Sequence, residues 1–440
     1  MITNIDKIVN TISQHGSAFA EVRNPAYVFP PVEYYPLAAP QQKVSRLKAA
    51  LMDMDGTTTT TEVLCIHSLD VMLQRMSGRT AGDDRAGIIR EADLPHIIGN
   101  STTKHVEYLI TTYREMITVS DTAASFIAAA AETLAHSTDH IRKQEVILNI
   151  RKLNIPELID DIKAGTGEEQ LLARYAHKIT GHDFTTLVNL GIDIYYAVYH
   201  NILTQLKMGR SDLVRKMIPV HQHGHRKLIS PMPGIPILIP LLKGWLGAEA
   251  SLFADELLED YRKSNPKKHK AVETDRIRLQ LGRLGSMFEQ QPVKIALVTS
   301  SIFYEADIVI KEVLNEMASH IQASKLSRQR KEYIMNAYKN YHRVYDAFVT
   351  ATDSSEIRLK PHRDLYSIAL HRLGINPVDF ANVVGFEDSQ SGTIAIRAAG
   401  VGCCVAVPFA ETAAHNLEAA THILHGGIPQ AIIEFGLFLE

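Results

Sequence analysis

The sequence predicts an α/β fold: a doubly wound parallel sheet split by a large α-helical insertion. Three observations carry this. Short β-rich runs alternate with helical segments through the C-terminal part, the pattern of parallel strands joined by crossovers. A lone apolar run, Leu47–Met52, reads as a buried strand and leads into the acidic turn Asp53-Met54-Asp55-Gly56-Thr57. From Glu62 to about residue 228 the spacing is helical, with almost no strand signal.

Taken in order, residues 1–24 can form a short amphipathic helix, with Ile5, Ile8, Val9 and Ile12 on one face. Pro25, Pro30, Pro31, Pro36 and Pro40 make residues 25–42 an extended arm, since proline at that density excludes a helix. Its tyrosines and Phe29 suggest packing on the chain's own body. Segments 104–117, 123–136, 139–152, 168–179 and 183–208 carry helical apolar spacing, broken by Gly165-Thr166-Gly167 and by Gly181. Pro231-Met232-Pro233-Gly234 is a turn opening a helix over 235–246, followed by a helical stretch 249–289 interrupted at Ser264–Lys270. Strands are expected at 293–299, 347–350, 382–386 and 402–407, with helices 304–318, 361–373 and 391–399 between them. The resulting domains are an N-terminal helix and arm (1–47), an α/β core (48–61 and 229–440, with helical insertions at about 247–290 and 316–342), and a helical domain (62–228).

The totals bound the function. An apolar content of 45% in 440 residues supports sizeable cores, and 46 basic against 49 acidic residues give a net charge of -3. That balance gives no whole-chain reason to expect nucleic acid or an anionic membrane as partner. The basic runs Arg262–Lys270 and Lys325–Lys331 read as solvated faces. Cys65, Cys403 and Cys404 form no CxxC pair, the usage of a reducing compartment. Met1–Lys7 has no basic region followed by an apolar block, and the window Pro231–Leu246 holds four prolines and Lys243. A soluble, cytoplasmic protein is expected.

Asp53 and Asp55, spaced i, i+2 at a strand end, point the same way. One carboxylate can attack while the other moves a proton, and both can hold a hard divalent cation, which suits phosphoryl transfer. Gly56 lets the backbone turn. Further candidates follow the other strands: Thr299-Ser300-Ser301, then Lys360, then Glu387-Asp388. Ligands of open α/β sheets collect at these carboxyl ends. Each string has a plainer reading alone: an Asx-turn, a helix cap, a surface lysine before a helix. Their joint order at successive strand-helix junctions favours a shared site.

This ordered set, DMDGT (53–57), KIALVTSS (294–301), RLKPHRDLY (358–366) and VVGFEDSQSGTIAIRAAG (383–400), resembles the haloacid dehalogenase superfamily of phosphohydrolases. The last string is especially close to the helical-cap branch that includes phosphoglycolate phosphatase and β-phosphoglucomutase. The resemblance implies a Rossmann-like core with the helical domain as a cap over the phosphate site. It implies Asp53 as nucleophile, Asp55 as general acid and base, Thr299 as hydrogen-bond donor to a phosphoryl oxygen, and Lys360 as the charge neutraliser. Asp53, Asp55 through its carbonyl, Glu387 and Asp388 would hold Mg2+. Gly56, Thr57 and Ser300 would line the substrate, joined from the cap by Asn100 and Lys104. An acid at position 55 favours O-phosphate esters, whose leaving alkoxide needs a proton.

Ile98-Gly99-Asn100-Ser101 is similar to the IGNG cap segment of phosphoglycolate phosphatases. The mutases carry a basic residue just before that glycine and an arginine three after it; this chain has Ile98 and Thr102. The expected function is thus a Mg2+-dependent phosphatase acting on a small phosphorylated metabolite. The alternatives are a phosphomutase of the same fold or a non-enzymatic scaffold whose helical additions bind a protein. Those additions could also make a homo-oligomer interface or buttress the core. His221-Gln222-His223-Gly224-His225 reads as a hinge loop rather than a metal site.

Overall fold

The computed structural model describes residues 4–15, 18–24, 29–79, 87–97, 102–181, 183–217, 227–264, 274–353, 358–409, 412 and 415–433. They form two compact units, Met1–Thr60 with Ile229–Glu440, and Thr61–Leu228.

The first unit is built on a parallel sheet. Strands β3 (Ala49–Asp53), β4 (Lys294–Val298), β5 (Ala347–Val349), β6 (Val383–Glu387), β7 (Cys403–Ala406) and β8 (His422–Ile423) lie in the order β5-β4-β3-β6-β7-β8. All five neighbouring pairs are parallel. The chain starts at the centre, winds outward through β4 and β5, then returns beyond β3 to β6 and winds the other way. This is the doubly wound order, with its switch beside β3. The registers Asp53↔Val298 and Met52↔Phe386 bring the ends of β4 and β6 to either side of Asp53. β3 is buried along its whole length, as expected for a central strand covered on both faces. One face packs Ala49, Leu51, Ala296, Val298 and Val349 on Leu365, Tyr366, Ala369, Ala395 and Ile396, from the helices Asp364–Arg372 and Gln390–Ala398. β8, two residues long, is not anticipated by the sequence because so short a strand has no periodicity.

The N-terminal segment differs from expectation. The helix is confined to Ile5–His15, and Ala18–Arg23 is strand β1. It pairs antiparallel with β2 (Val32–Leu37), from Ala18↔Leu37 to Arg23↔Val32. In β1 the alternation of buried Ala20 and Val22 with exposed Phe19, Glu21 and Arg23 has period two, which overrides the helical spacing read across it. The arm is therefore half a hairpin, with Pro36 tolerated on an edge strand.

The added helices buttress this unit. The turn Gly247–Phe253 and the helix Thr274–Gln290 approach so closely that a Cβ on Gly285 would stand 1.9 Å from the Gly247 carbonyl oxygen. Arg330, in the helix Arg328–Tyr338, donates to Glu249, to Glu289 and to the Trp245 carbonyl. Part of the basic run 325–331 is thus engaged within the chain.

The second unit is helical throughout its described residues. Its longest helix, Phe184–Lys207, packs on Glu62–Ser77, Thr102–Thr112 and Val119–His136. Gly191 allows this, since a Cβ there would lie 2.9 Å from Val106 Cγ1. Helix starts are set by side-chain caps from Thr118, Asp139 and Asp183. Ile98–Ser101, including Asn100, and the His221–His225 cluster lie outside the described residues. No helix among the described residues is long and apolar enough to cross a membrane.

Candidate active site

The five threonines after Gly56, Thr57–Thr61, make sense only once folded. Thr58 and Thr59 donate their backbone N–H groups to the Met54 carbonyl, and Gly56 N–H returns to the Thr59 carbonyl. Thr58 Oγ1 donates to the Asp53 carbonyl at 2.5 Å and Thr59 Oγ1 to that of Met54 at 3.2 Å. Buried hydroxyls thus find their partners inside the turn, adding to the backbone bonds that already close it. Gly56 adopts φ 81°; a Cβ there would meet Asp388 Oδ2 at 2.6 Å and Phe409 Cε1 at 2.7 Å. Glycine is thus needed twice over, to take the left-handed turn and to admit Asp388. Thr57, expected against substrate, is fully buried and donates to Asp388 Oδ1 at 3.2 Å.

Asp55 is gripped from β4. Thr299 Oγ1 and Ser301 Oγ both reach its Oδ2, at 3.0 and 3.1 Å, while the Ser301 N–H donates to Thr299 Oγ1 at 2.9 Å. The Thr299 hydroxyl, expected on a phosphoryl oxygen, thus holds the carboxylate. Ser300, expected to line the substrate, is exposed; its neighbour Ser301 makes the contact. Three consecutive hydroxyl residues leave the choice open in sequence, and the backbone turn decides it.

Lys360 lies on the segment between β5 and the helix Asp364–Arg372, and its ammonium is buried. It ion-pairs with Asp53 and lies 2.7 Å from Glu387 Oε1. Tyr366 donates to the same oxygen at 3.1 Å. Glu387 Oε2 accepts from the N–H groups of Asp388 and Ser389 and from Ser389 Oγ, each at 2.9 Å. Ser389 then caps the helix Gln390–Ala398 through the Gly392 N–H. Gly392 has no room for a side chain, since a Cβ would lie 1.6 Å from Glu387 Oε1. Sequence reasoning missed Tyr366, Ser389 and Gly392; the only available signal was their place inside the strings 358–366 and 383–400.

Burial is the first cause of the electrostatics. It pushes the Asp53 carboxyl well above its ordinary 3.8, with Glu387 adding to the effect and Lys360 opposing it. Burial alone would lower Lys360, but the charges of Asp53 and Glu387 outweigh it and hold the ammonium above the ordinary lysine range. Asp53, Glu387 and Asp388 can each present an oxygen within 4.8 Å of the others. Three buried carboxylates against one lysine leave an excess of negative charge, which a hard divalent cation fits. Both Glu387 oxygens already accept at least two donors, which leaves Asp53 and Asp388 as the better candidates to hold such a cation. Glu387, expected as a ligand, has Lys360 and the turn after β6 as its partners. Lys104 is exposed on the helix Thr102–Thr112 of the second unit.

No protein-family model matches the chain. A stretch of 96 residues is 35% identical to the Bacillus subtilis (strain 168) protein named "Putative phosphatase YhcW". That stretch is 22% of this chain and 40% of the relative, so the chain spans less than half of the curated protein it matches. Among solved structures, CbbY from Rhodobacter sphaeroides in complex with phosphate shows 13% identity and a TM-score of 0.40, over 88% of this chain and 99% of that one. β-Phosphoglucomutase from Clostridium difficile shows 15% identity and a TM-score of 0.32, over 87% and 92%. In its four motifs the chain resembles the helical-cap branch of the haloacid dehalogenase superfamily.

Proposed function

We propose that this chain is a Mg2+-dependent phosphatase that hydrolyses a small phosphorylated metabolite through an aspartyl-phosphate on Asp53. The observation that supports it most is the convergence on Asp53 of Lys360, Glu387 and Asp388, with Asp55 separately fixed by Thr299 and Ser301.

An Asp53 oxygen attacks phosphorus, the new O–P bond forms, and the bond to the ester oxygen breaks. Asp55 gives its proton to the departing alkoxide, then takes one from the water that attacks the phosphoenzyme. Inorganic phosphate leaves and Asp53 is restored. Lys360 stabilises negative charge beside the nucleophile throughout. Thr299 and Ser301 aim Asp55, which limits the geometries in which it can transfer a proton. Asp53, Asp388 and the Asp55 carbonyl would hold the cation; when bound, it screens the anionic ester from the carboxylates.

The test is phosphate release from a panel of phosphorylated sugars, acids and nucleotides, with and without Mg2+. Release by the wild type and none by Asp53→Asn is expected. Conversion of a sugar phosphate to its isomer with phosphate conserved would instead identify a mutase. Absence of turnover on every ester would overturn the enzymatic reading.

A further inference from the structure

The β1–β2 hairpin is fastened to the helix that begins just after Asp388. Ala20, Val22 and Leu37 form an apolar cluster with Ile394 and Ala398, and Tyr35 packs against it. The Ala38 N–H donates to the Arg397 carbonyl at 2.9 Å, and the Arg397 guanidinium returns to the Ala38 carbonyl. The Gln41 N–H donates to the Gly402 carbonyl at 3.0 Å.

From this anchored strand, Tyr35 reaches across to the segment that carries Lys360. Its hydroxyl lies 2.7 Å from His362 Nδ1, with ring centroids 5.1 Å apart. The phenol proton goes to Glu33 Oε2 at 2.5 Å, so Nδ1 carries a proton and donates it to the phenol oxygen. Burial, aided by Arg358, holds the His362 ring below its ordinary value, in keeping with a neutral imidazole whose one N–H points at Tyr35. Glu33 also faces Arg358, at 3.8 Å. Arg358 and His362 stand two residues before and two after Lys360, so the hairpin touches both flanks of the buried lysine. Within the segment itself, the Arg358 N–H donates to Asp364 at 3.1 Å and the His362 N–H to the Leu359 carbonyl at 3.0 Å.

We propose that the N-terminal hairpin positions the Lys360 segment, with Tyr35 and His362 as positioning residues acting through it. One strand is then tied both to the helix following Asp388 and to the segment bearing Lys360, which sets the spacing between the two. The kinetic consequence rests on the phosphatase reading; the mechanical one does not.

The test uses the full chain and the variants Tyr35→Phe, His362→Asn and His362→Phe. Tyr35→Phe keeps the ring packing and removes only the hydroxyl. Its backbone amides over 358–363 should exchange with solvent about tenfold faster, with β3 and β6 unchanged. On the best ester, kcat should fall about tenfold with KM within about twofold, as expected of a displaced catalytic group. His362→Phe should behave alike. His362→Asn, whose amide nitrogen can replace Nδ1 as donor, should keep most of the wild-type rate. Unchanged exchange in Tyr35→Phe overturns the proposal, as does faster exchange with unaltered kcat. A wild type without turnover would defeat the phosphatase reading alone, and exchange would still decide the positioning.

Discussion

Lys360 Nζ lies 2.7 Å from Glu387 Oε1 while it also ion-pairs with Asp53, so one buried ammonium serves two carboxylates from adjacent strands. Tyr366 and three donors from the turn after β6 take up the rest of Glu387. The lysine is consequently both an electrostatic and a structural part of the site.

Replacing it should show both. Lys360→Met leaves Asp53 and Glu387 buried without their cation, and breaking a buried pair in this way costs about 3–5 kcal/mol. A fall in Tm together with loss of at least about 100-fold in kcat is expected. Wild-type stability in the variant, measured by denaturant unfolding, would contradict the placement of the ammonium.

Asp55 is held by two hydroxyls on one oxygen and is assigned both proton transfers. Asp55→Asn should lower turnover of alkyl phosphates by about 10²–10⁴-fold. The loss should be smaller for an ester with a phenolate-type leaving group, which departs without a proton. Acid-quenched protein should retain covalent phosphate, because the water step also lacks its base. Equal losses on both esters would argue against general acid catalysis.

Cation binding can be read without turnover. If Asp53 and Asp388 hold Mg2+, the ion stabilises the folded chain by about 2.7 kcal/mol at a hundred times its Kd. Thermal unfolding with and without the metal measures this directly. Asp388→Ala should abolish the Mg2+-dependent shift in Tm, whereas Ser300→Ala, on an exposed residue, should leave it intact.

Gly392 has a Cβ position only 1.8 Å from the Glu387 carboxyl carbon. Gly392→Ala must therefore push Glu387 away or move the helix start. Overpacking of this kind costs about 1–3 kcal/mol, and activity should fall with stability. Gly167→Ala, whose added methyl meets nothing within 4 Å, is the control and should do neither.

The helical unit carries its own pH dependence. Asp193 is buried on the helix Phe184–Lys207 and accepts from Asn149 at 2.7 Å. Burial raises its carboxyl from 3.8 to about 7. The folded state therefore binds a proton that the unfolded state releases between those values. Stability attributable to this group is present below about pH 4 and declines as pH rises towards 7, by up to about 1.4 kcal/mol per unit. Asp193→Asn should flatten that slope and raise Tm near neutrality. An unchanged slope would place the proton elsewhere.

Much of this was legible in the chain itself. The β-rich runs around 50, 295, 348, 384 and 404 each become strands of one parallel sheet, because alternation with helices leaves little other topology. DMDGT and the ED pair stand at strand ends for the same reason, and the lysine at 360 falls on the segment joining β5 to the next helix. The N-terminal segment was less readable, since two overlapping periodicities competed over residues 18–23 and only pairing with β2 settled them.

The sequence by itself determined which chemical groups are present and at which end of the sheet they gather, because strand and helix periods are local properties of neighbouring residues. Tertiary structure alone decided what each group touches: Thr57 meets Asp388 from 331 positions away, and Thr299 meets Asp55 from 244. The same holds for Glu387 reaching Lys360 and for Tyr35 reaching His362. Hydrogen bonds act over about 3 Å, and no local pattern records which distant backbone will bring a partner within that reach.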